Sequence, residues 1–192
     1  MTGDCLDNYR ALVARVDEFS ARIHREFADH LRCRRGCDAC CRHLTLFAVE
    51  GAALRGAWRK LPPGQRDTVS RRAAAAAEDG PCPLLENQAC LLYEARPILC
   101  RTHGLPLLYR GEDGPQAVCC PLNLRGLTAF SGAAALDMEV VNAALDAVNG
   151  LFVRKVFPPG GDAGQRLPMG RYLLPQSEYV PALFKELERP GG

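Results

Sequence analysis

Two long stretches of the chain repeat apolar residues every three or four positions, which is the spacing of an amphipathic helix. The first repeat runs from Leu6 to Leu31, and Asp4 is suited to cap its N-terminus. The second repeat runs from Asp137 to Phe157. Each predicted helix has one apolar stripe to bury, so we expect the two helices to pack against each other.

Two shorter helices are predicted between the long ones. Residues 50–61 place apolar side chains at helical spacing, and the sequence Pro62-Pro63-Gly64 stops this helix. Pro63 can open a second helix that continues through alanine-rich sequence to Ala77. The apolar run 44–47 precedes both. We expect this helical pair to cover the middle of the chain.

After Gly80 the pattern changes to short apolar runs separated by turn residues. One hairpin is predicted over 82–93, and a second runs from Leu105 and returns to Val118 after a glycine-rich turn at 111–115. Between the hairpins, Pro97 is suited to open a short helix that would present Cys100 and Arg101. The sequence thus predicts an α+β fold that is mainly helical, with long N- and C-terminal helices packed around a cysteine-rich core that holds one or two short β-hairpins.

A length of 192 residues favours a single domain. Residues 166–174 are predicted to be an ordered loop or edge strand, and 179–187 a short helix. The expected division of the domain is a metal-binding core at about 33–120, helical flanks at 4–32 and 136–157, and an extended C-terminal tail at 158–192.

Cysteines are concentrated in the segment that follows the first helix. Four thiols lie within nine residues, in Cys33-Arg-Arg-Gly-Cys37-Asp-Ala-Cys40-Cys41. Packing alone gives buried cysteines no reason to crowd in this way. If the segment is helical, all four sulfurs share one face. If Gly36 breaks the helix, Cys37 and Cys40 can form a metal-binding knuckle. Both alternatives bring the thiols together, so we interpret the segment as half of a metal or cluster site.

Composition narrows the choice between metal and disulfide. Ten cysteines in 192 residues fall below the roughly 8 to 10% that marks a disulfide scaffold. No secretory signal and no membrane span is recognisable, so we expect a cytoplasmic, reducing location, which favours metal. The net charge of +2 predicts neither nucleic acid nor a membrane as partner. We expect the cations Arg32, Arg34, Arg35 and Arg42 to lower thiol pKa values nearby.

A longer pattern extends this cluster and resembles a known family. The pattern reads Cys33-x3-Cys37-x2-Cys40-Cys41, then Cys82-x7-Cys90, then Tyr93-Glu94-x-Arg96-Pro97-x2-Cys100-Arg101. It is similar to the bacterial YkgJ-like cysteine-cluster family, a zinc- or iron-chelating domain with a CxxxCxxCC signature. The resemblance implies metal binding. A related module in flagellin lysine N-methylases would suggest an iron–sulfur cluster and, by analogy, methyl transfer or redox chemistry. No glycine-rich nucleotide motif accompanies it here, and the sequence names neither a substrate nor a protein partner.

The number of thiols suggests more than one ion. A structural zinc takes four ligands, and adjacent Cys40 and Cys41 cannot easily bind the same ion without strain, so two metals or an iron–sulfur cluster is the more natural expectation. The predicted metal ligands are Cys33, Cys37, Cys40, Cys41, Cys82, Cys90 and Cys100. Weaker candidates are Cys119, Cys120, His43 and His103. The candidates that would support the ligands through hydrogen bonds to loop carbonyls or thiolates are Arg96 and Arg101.

Overall fold

The computed structural model describes residues 4–34, 36–111, 114–125, 134–157 and 161–175. The α-helices are α1 Asp7–Glu26, α2 Ala48–Trp58, α3 Pro63–Ala75, α4 Ile98–Thr102 and α5 Met138–Val156. The strands are β1 Thr45–Phe47, β2 Leu85–Glu86, β3 Ala89–Cys90, β4 Leu107–Gly111, β5 Gly114–Val118, β6 Leu136–Asp137 and β7 Arg166–Pro168. Short 3-10 turns occupy Ala28–His30, Tyr93–Ala95 and Met169–Leu173. The predicted α+β class is confirmed.

The first helix is shorter than its apolar repeat predicts. Helix α1 ends at Glu26, and the chain is extended after the turn at Ala28–His30. Tertiary hydrogen bonds explain this early end, because the His30 carbonyl accepts from the Leu124 N–H at 2.8 Å. The Asp4 carboxylate accepts from the Leu6 N–H at 3.1 Å, just before the helix begins. Local periodicity therefore predicted the helix and overestimated its length.

Helix α5 begins where the sequence predicts. The Asp137 carboxylate caps it by accepting from the N–H groups of Glu139 and Val140, at 3.1 and 3.3 Å. The helix contacts both α1 and α2, so the expected packing of the two long helices is present. Two apolar residues within the predicted repeat lie outside the buried face of the helix, since Val140 and Leu151 are 65% and 49% exposed.

The described residues form three small sheets between the helices. Strands β1 and β7 pair antiparallel, β2 and β3 form the first hairpin, and β4 pairs with β5 antiparallel and with β6 parallel. The β2–β3 hairpin turns through Asn87 and Gln88, both with positive φ, as a tight two-residue turn requires. Residues 161–175 belong to the segment expected as an extended tail, and there Tyr172 and Leu173 are buried. The helix predicted at 179–187 lies outside the described residues.

One buried carboxylate joins two parts of the fold. Glu50, in the first turn of α2, is 4% exposed. One of its oxygens accepts from the Phe47 N–H at 3.3 Å, and the other accepts from the Ile98 N–H at 3.1 Å. Ile98 is the first residue of α4. Glu50 thus ties the start of α2 to the short helix that carries Cys100.

Replacing Glu50 with glutamine is expected to destabilise the protein by about 1–3 kcal/mol, because the amide NH2 would face a buried N–H donor where a carboxylate oxygen now accepts. Burial raises the pKa of Glu50, so part of the lost bonding is offset by removal of a poorly solvated charge. Urea unfolding of the Glu50→Gln variant checks this. The exposed Glu18→Gln on α1 is the matched control, and equal stability of the two variants would contradict the capping role.

Candidate metal centre

All seven of the predicted cysteine ligands line one cavity. It has a volume of about 410 Å³ and is bounded by α1, the loop 33–41, the first hairpin and α4. The thiols come from separate parts of the chain, and the structure brings them to the same space. The lining cysteines are Cys33, Cys37, Cys40, Cys41, Cys82, Cys90 and Cys100.

The loop 33–41 is built from turns, and its helical alternative is wrong. The Cys37 N–H donates to the Arg34 carbonyl at 3.0 Å, and the Cys41 N–H donates to the Asp38 carbonyl at 2.8 Å. Gly36 lies between the thiols with φ +97°, a left-handed conformation that a helix does not accept and that glycine adopts freely. The structure therefore agrees with the knuckle alternative for this segment.

The first hairpin is attached directly to this loop. The Cys82 N–H donates to the Cys41 carbonyl at 3.2 Å. Within the hairpin, Leu85 lies opposite Cys90, and the Leu85 N–H donates to the Cys82 carbonyl at 3.1 Å. Cys82 Sγ also lies 3.9 Å from the sulfur of Met169, a buried residue on the cavity wall. Sequence reasoning missed Met169, which carries no cysteine-like spacing signal.

Arg96 and Arg101 form hydrogen bonds that hold the backbone around α4. Arg101 donates to two carboxylate oxygens of Asp17 on α1, at 2.6 and 2.8 Å, and to the Arg96 carbonyl at 2.7 Å. It also donates to the Glu94 carbonyl. Arg96 donates to the Tyr93 carbonyl at 2.8 Å and stacks over the Tyr93 ring. These contacts fix the backbone on either side of Cys100.

A buried asparagine, Asn123, supports Cys33 and was not among the residues that the cysteine pattern predicted. Asn123 Nδ2 donates to Cys33 Sγ at 3.1 Å and to the Gly104 carbonyl at 2.6 Å, while Oδ1 accepts from the Arg32 N–H at 2.8 Å. An N–H donor stabilises a thiolate, and this bond acts to lower the pKa of Cys33 against the larger effect of burial. The only hint of Asn123 in the sequence was its position three residues after the pair Cys119-Cys120.

The two candidate histidines differ in their surroundings. Buried His43 uses both ring nitrogens, because Nδ1 lies 2.8 Å from the Ala77 carbonyl and Nε2 accepts from the Gly170 N–H at 2.9 Å. No ring lone pair is then left for a metal, and we leave His43 out of the ligand set. His103 is exposed and lies on the cavity wall.

Cys119 and Cys120 are half-buried, and the second of them lies beside the first thiol of the loop. A Cβ added at Gly104, whose φ is +93°, would stand 2.6 Å from Cys33 Sγ and 3.6 Å from Cys120 Cβ. Gly104 therefore lets these two cysteines approach each other. Cys119 Sγ instead lies 4.0 Å from the Asn123 carbonyl.

Burial dominates the acidity of the thiols. All ten cysteines are free. Burial raises the pKa of Cys82 and of Cys100 to about 12, and neighbouring thiolates add to both shifts. Burial likewise raises the pKa values of Cys33, Cys40 and Cys41. The expected lowering by nearby arginines is thus wrong for these thiols, although Arg34 and Arg42 line the cavity. Arg35 lies outside the described residues.

The donor set fits a thiophilic metal, although the side chains do not close on one point. Across the described ranges, no group of three or more His, Cys, Asp or Glu residues stands where it could hold an ion. Binding of an ion would therefore require these side chains to come closer together than they lie here. Thiolate sulfur is the ligand that zinc sites and iron–sulfur clusters share, and seven cysteines line the same cavity.

The fold and this cavity define an α+β cysteine-cluster domain. Residues 32–121 match the CxxCxxCC family model, described as a putative zinc- or iron-chelating domain, which agrees with the cysteine-cluster resemblance that the motif predicted. The matched segment includes the seven cavity cysteines as well as Cys119 and Cys120. Neither the curated proteins nor the solved structures provide a match to the chain. In the part of the chain that the structure describes, no helix is long and apolar enough to cross a membrane.

Proposed function

We propose that this protein binds zinc or iron through the thiolates of the cysteines that line its cavity. The observation that carries the proposal is that seven cysteines, separated by up to 67 positions in the sequence, line one cavity. A metal bound there would join the loop 33–41, the first hairpin and α4. It would supply positive charge to balance the thiolates, which burial alone disfavours.

The donor set is compatible with mononuclear zinc and with an iron–sulfur cluster. Both take cysteine thiolates, and both can combine ligands that are close in sequence with remote ones. Anaerobic purification followed by an absorption spectrum and elemental analysis separates them. Brown protein with iron and acid-labile sulfide would establish a cluster, whereas colourless protein with stoichiometric zinc would exclude it. Protein that holds neither metal after reconstitution with each would overturn the proposal.

Replacing one cavity cysteine is expected to remove bound metal. Cys37→Ser and Cys100→Ser each lose a thiolate, and we expect the metal content per chain to fall measurably in both, because a serine hydroxyl is a poor ligand for these metals at neutral pH. The control is Cys5→Ser, whose side chain packs near the start of α1 away from the cavity. Unchanged metal content in either cavity variant would show that the ligand set is wrong.

A further inference from the structure

The distribution of the thiols within and beside the cavity is uneven. We propose that they form two separate metal positions, with adjacent Cys40 and Cys41 assigned to different ones and Cys120 completing the first. This inference rests on the metal binding proposed above. The first position comprises Cys33, Cys37, Cys40 and Cys120. The second position comprises Cys41, Cys82, Cys90 and Cys100.

The second position is assembled around the first hairpin. The Cys82 N–H bonds to the Cys41 carbonyl at 3.2 Å, and the bridge between Arg42 and Pro81 continues this pairing. These contacts hold the end of the loop against the hairpin that carries Cys90. Cys90 lies opposite Leu85 in the hairpin, and Arg101, the neighbour of Cys100, donates to the Arg96 carbonyl at 2.7 Å, which holds α4 against the segment that follows the hairpin.

The first position is assembled around Gly104 and Asn123. A Cβ added at Gly104 would meet both Cys33 Sγ, at 2.6 Å, and Cys120 Cβ, at 3.6 Å, so the two cysteines border the same small space. Asn123 donates to Cys33 Sγ, and its own N–H donates to the Cys120 carbonyl at 2.8 Å. A single asparagine thus holds both cysteines in place. Cys37 and Cys40 follow Cys33 in the same loop and line the cavity with it.

The adjacent pair Cys40 and Cys41 is the point where the two positions meet. Cys40 is exposed, whereas Cys41 is half-buried and its backbone is bonded to the hairpin. Two neighbouring sulfurs on one ion would need a strained backbone, and assignment to different ions removes this strain. Each position then has the four thiolates that a closed zinc site or a cubane cluster takes.

Cys119 and Cys120 provide a matched pair for the test. They are adjacent and both half-buried, but Cys119 Sγ lies 4.0 Å from the Asn123 carbonyl, whereas Cys120 borders Gly104 together with Cys33. The proposal therefore requires a metal loss from Cys120→Ser that Cys119→Ser does not share. Both variants change one sulfur to oxygen at the same edge of the fold, so a general loosening would affect them alike.

The experiment is a cobalt(II) titration of the reduced, metal-free full chain under anaerobic conditions. Thiolate-to-cobalt absorption reports sulfur ligation, and elemental analysis after gel filtration counts bound ions. We expect two equivalents for the unmodified protein and for Cys119→Ser. We expect one tightly bound equivalent for Cys120→Ser and one for Cys100→Ser. The affinity for the second equivalent should fall by more than the roughly 10–100-fold that loss of an outer hydrogen-bonding partner costs. The double variant Cys100→Ser/Cys120→Ser should retain neither.

Several outcomes would overturn the two-position assignment while leaving metal binding intact. One is a single equivalent in the unmodified protein, and another is loss of all cobalt from both Cys120→Ser and Cys100→Ser, which would indicate one shared centre. If Cys120→Ser still bound two equivalents of cobalt with unchanged affinity, Cys120 would not be a ligand. An unmodified chain that binds no cobalt, zinc or iron would overturn the proposed function together with this inference. Far-ultraviolet circular dichroism of each variant distinguishes ligand loss from unfolding.

Discussion

Removal of the metal is expected to lower the free energy of unfolding by an amount on the order of 10 kcal/mol, the scale of structural zinc binding. The reason lies in the loop 31–42, where no described residue is buried. This loop has little apolar contact to stabilise it, and bound metal would join it to the first hairpin and α4. Urea unfolding of metal-loaded and chelator-treated protein measures the difference.

The loss of stability on metal removal should be uneven across the molecule. The buried residues of α1, α2 and α5, such as Ile23, Leu54 and Phe152, form a core. None of these buried residues is a proposed ligand. We therefore expect chelation to increase amide hydrogen exchange mainly in 31–42 and 81–103, with smaller changes in α5. Cys100→Ser, which is already short of one ligand, serves as the control and should respond less to chelator. Identical unfolding transitions with and without metal would contradict a stabilising role.

Metal affinity is expected to rise steeply with pH. The protein must release a proton from each neutral thiol that becomes a ligand, and the pKa of both Cys82 and Cys100 is about 12 in the metal-free fold. Below its pKa, each released proton changes the apparent affinity by about tenfold per pH unit. Isothermal titration in buffers of different ionisation enthalpy counts these protons. Proton release below one per bound ion would contradict ligation by the buried thiols.

The stability of the metal-free protein should change with pH in the opposite direction. Cys82 and Cys100 have folded pKa values above that of an unfolded thiol, so the folded state holds their protons more tightly. Their contribution to stability is fully present below about pH 8.5, the unfolded value, and is lost as pH rises toward about 12. The metal-free Cys82→Ser/Cys100→Ser double variant lacks these two thiols, so it should lose less stability over this interval.

The sequence predicted elements well where the signal was local. Apolar spacing located α5, Pro97 preceded α4 as expected, and both hairpins formed at their turn residues. The predicted end of α1 was wrong because a long-range hydrogen bond from Leu124 to the His30 carbonyl redirects the chain. No local pattern in the sequence encodes that contact. The tertiary structure overrides helix propensity there.

The sequence predicted the cysteines of the candidate site well, and the residues that support them less well. Cysteine spacing identified the side chains that line the cavity, but it could not choose between a helical and a turned loop until the conformation of Gly36 was known. Asn123 is a common residue in a turn, and its bond to Cys33 spans 90 positions of sequence. His43 was a reasonable ligand candidate by proximity, and its two hydrogen bonds become apparent only in three dimensions.

The separation of the cysteines along the chain sets an order of events during synthesis. The thiols of the loop 33–41 leave the ribosome well before Cys100, and Cys120 follows later still. During that interval the early thiols have no partners from the later segments, so they are open to oxidation or to capture of a stray ion. Closing such long loops costs conformational entropy. With the proposed ligands, metal uptake would therefore be a late step, timed by translation of the segments that contain Cys100 and Cys120.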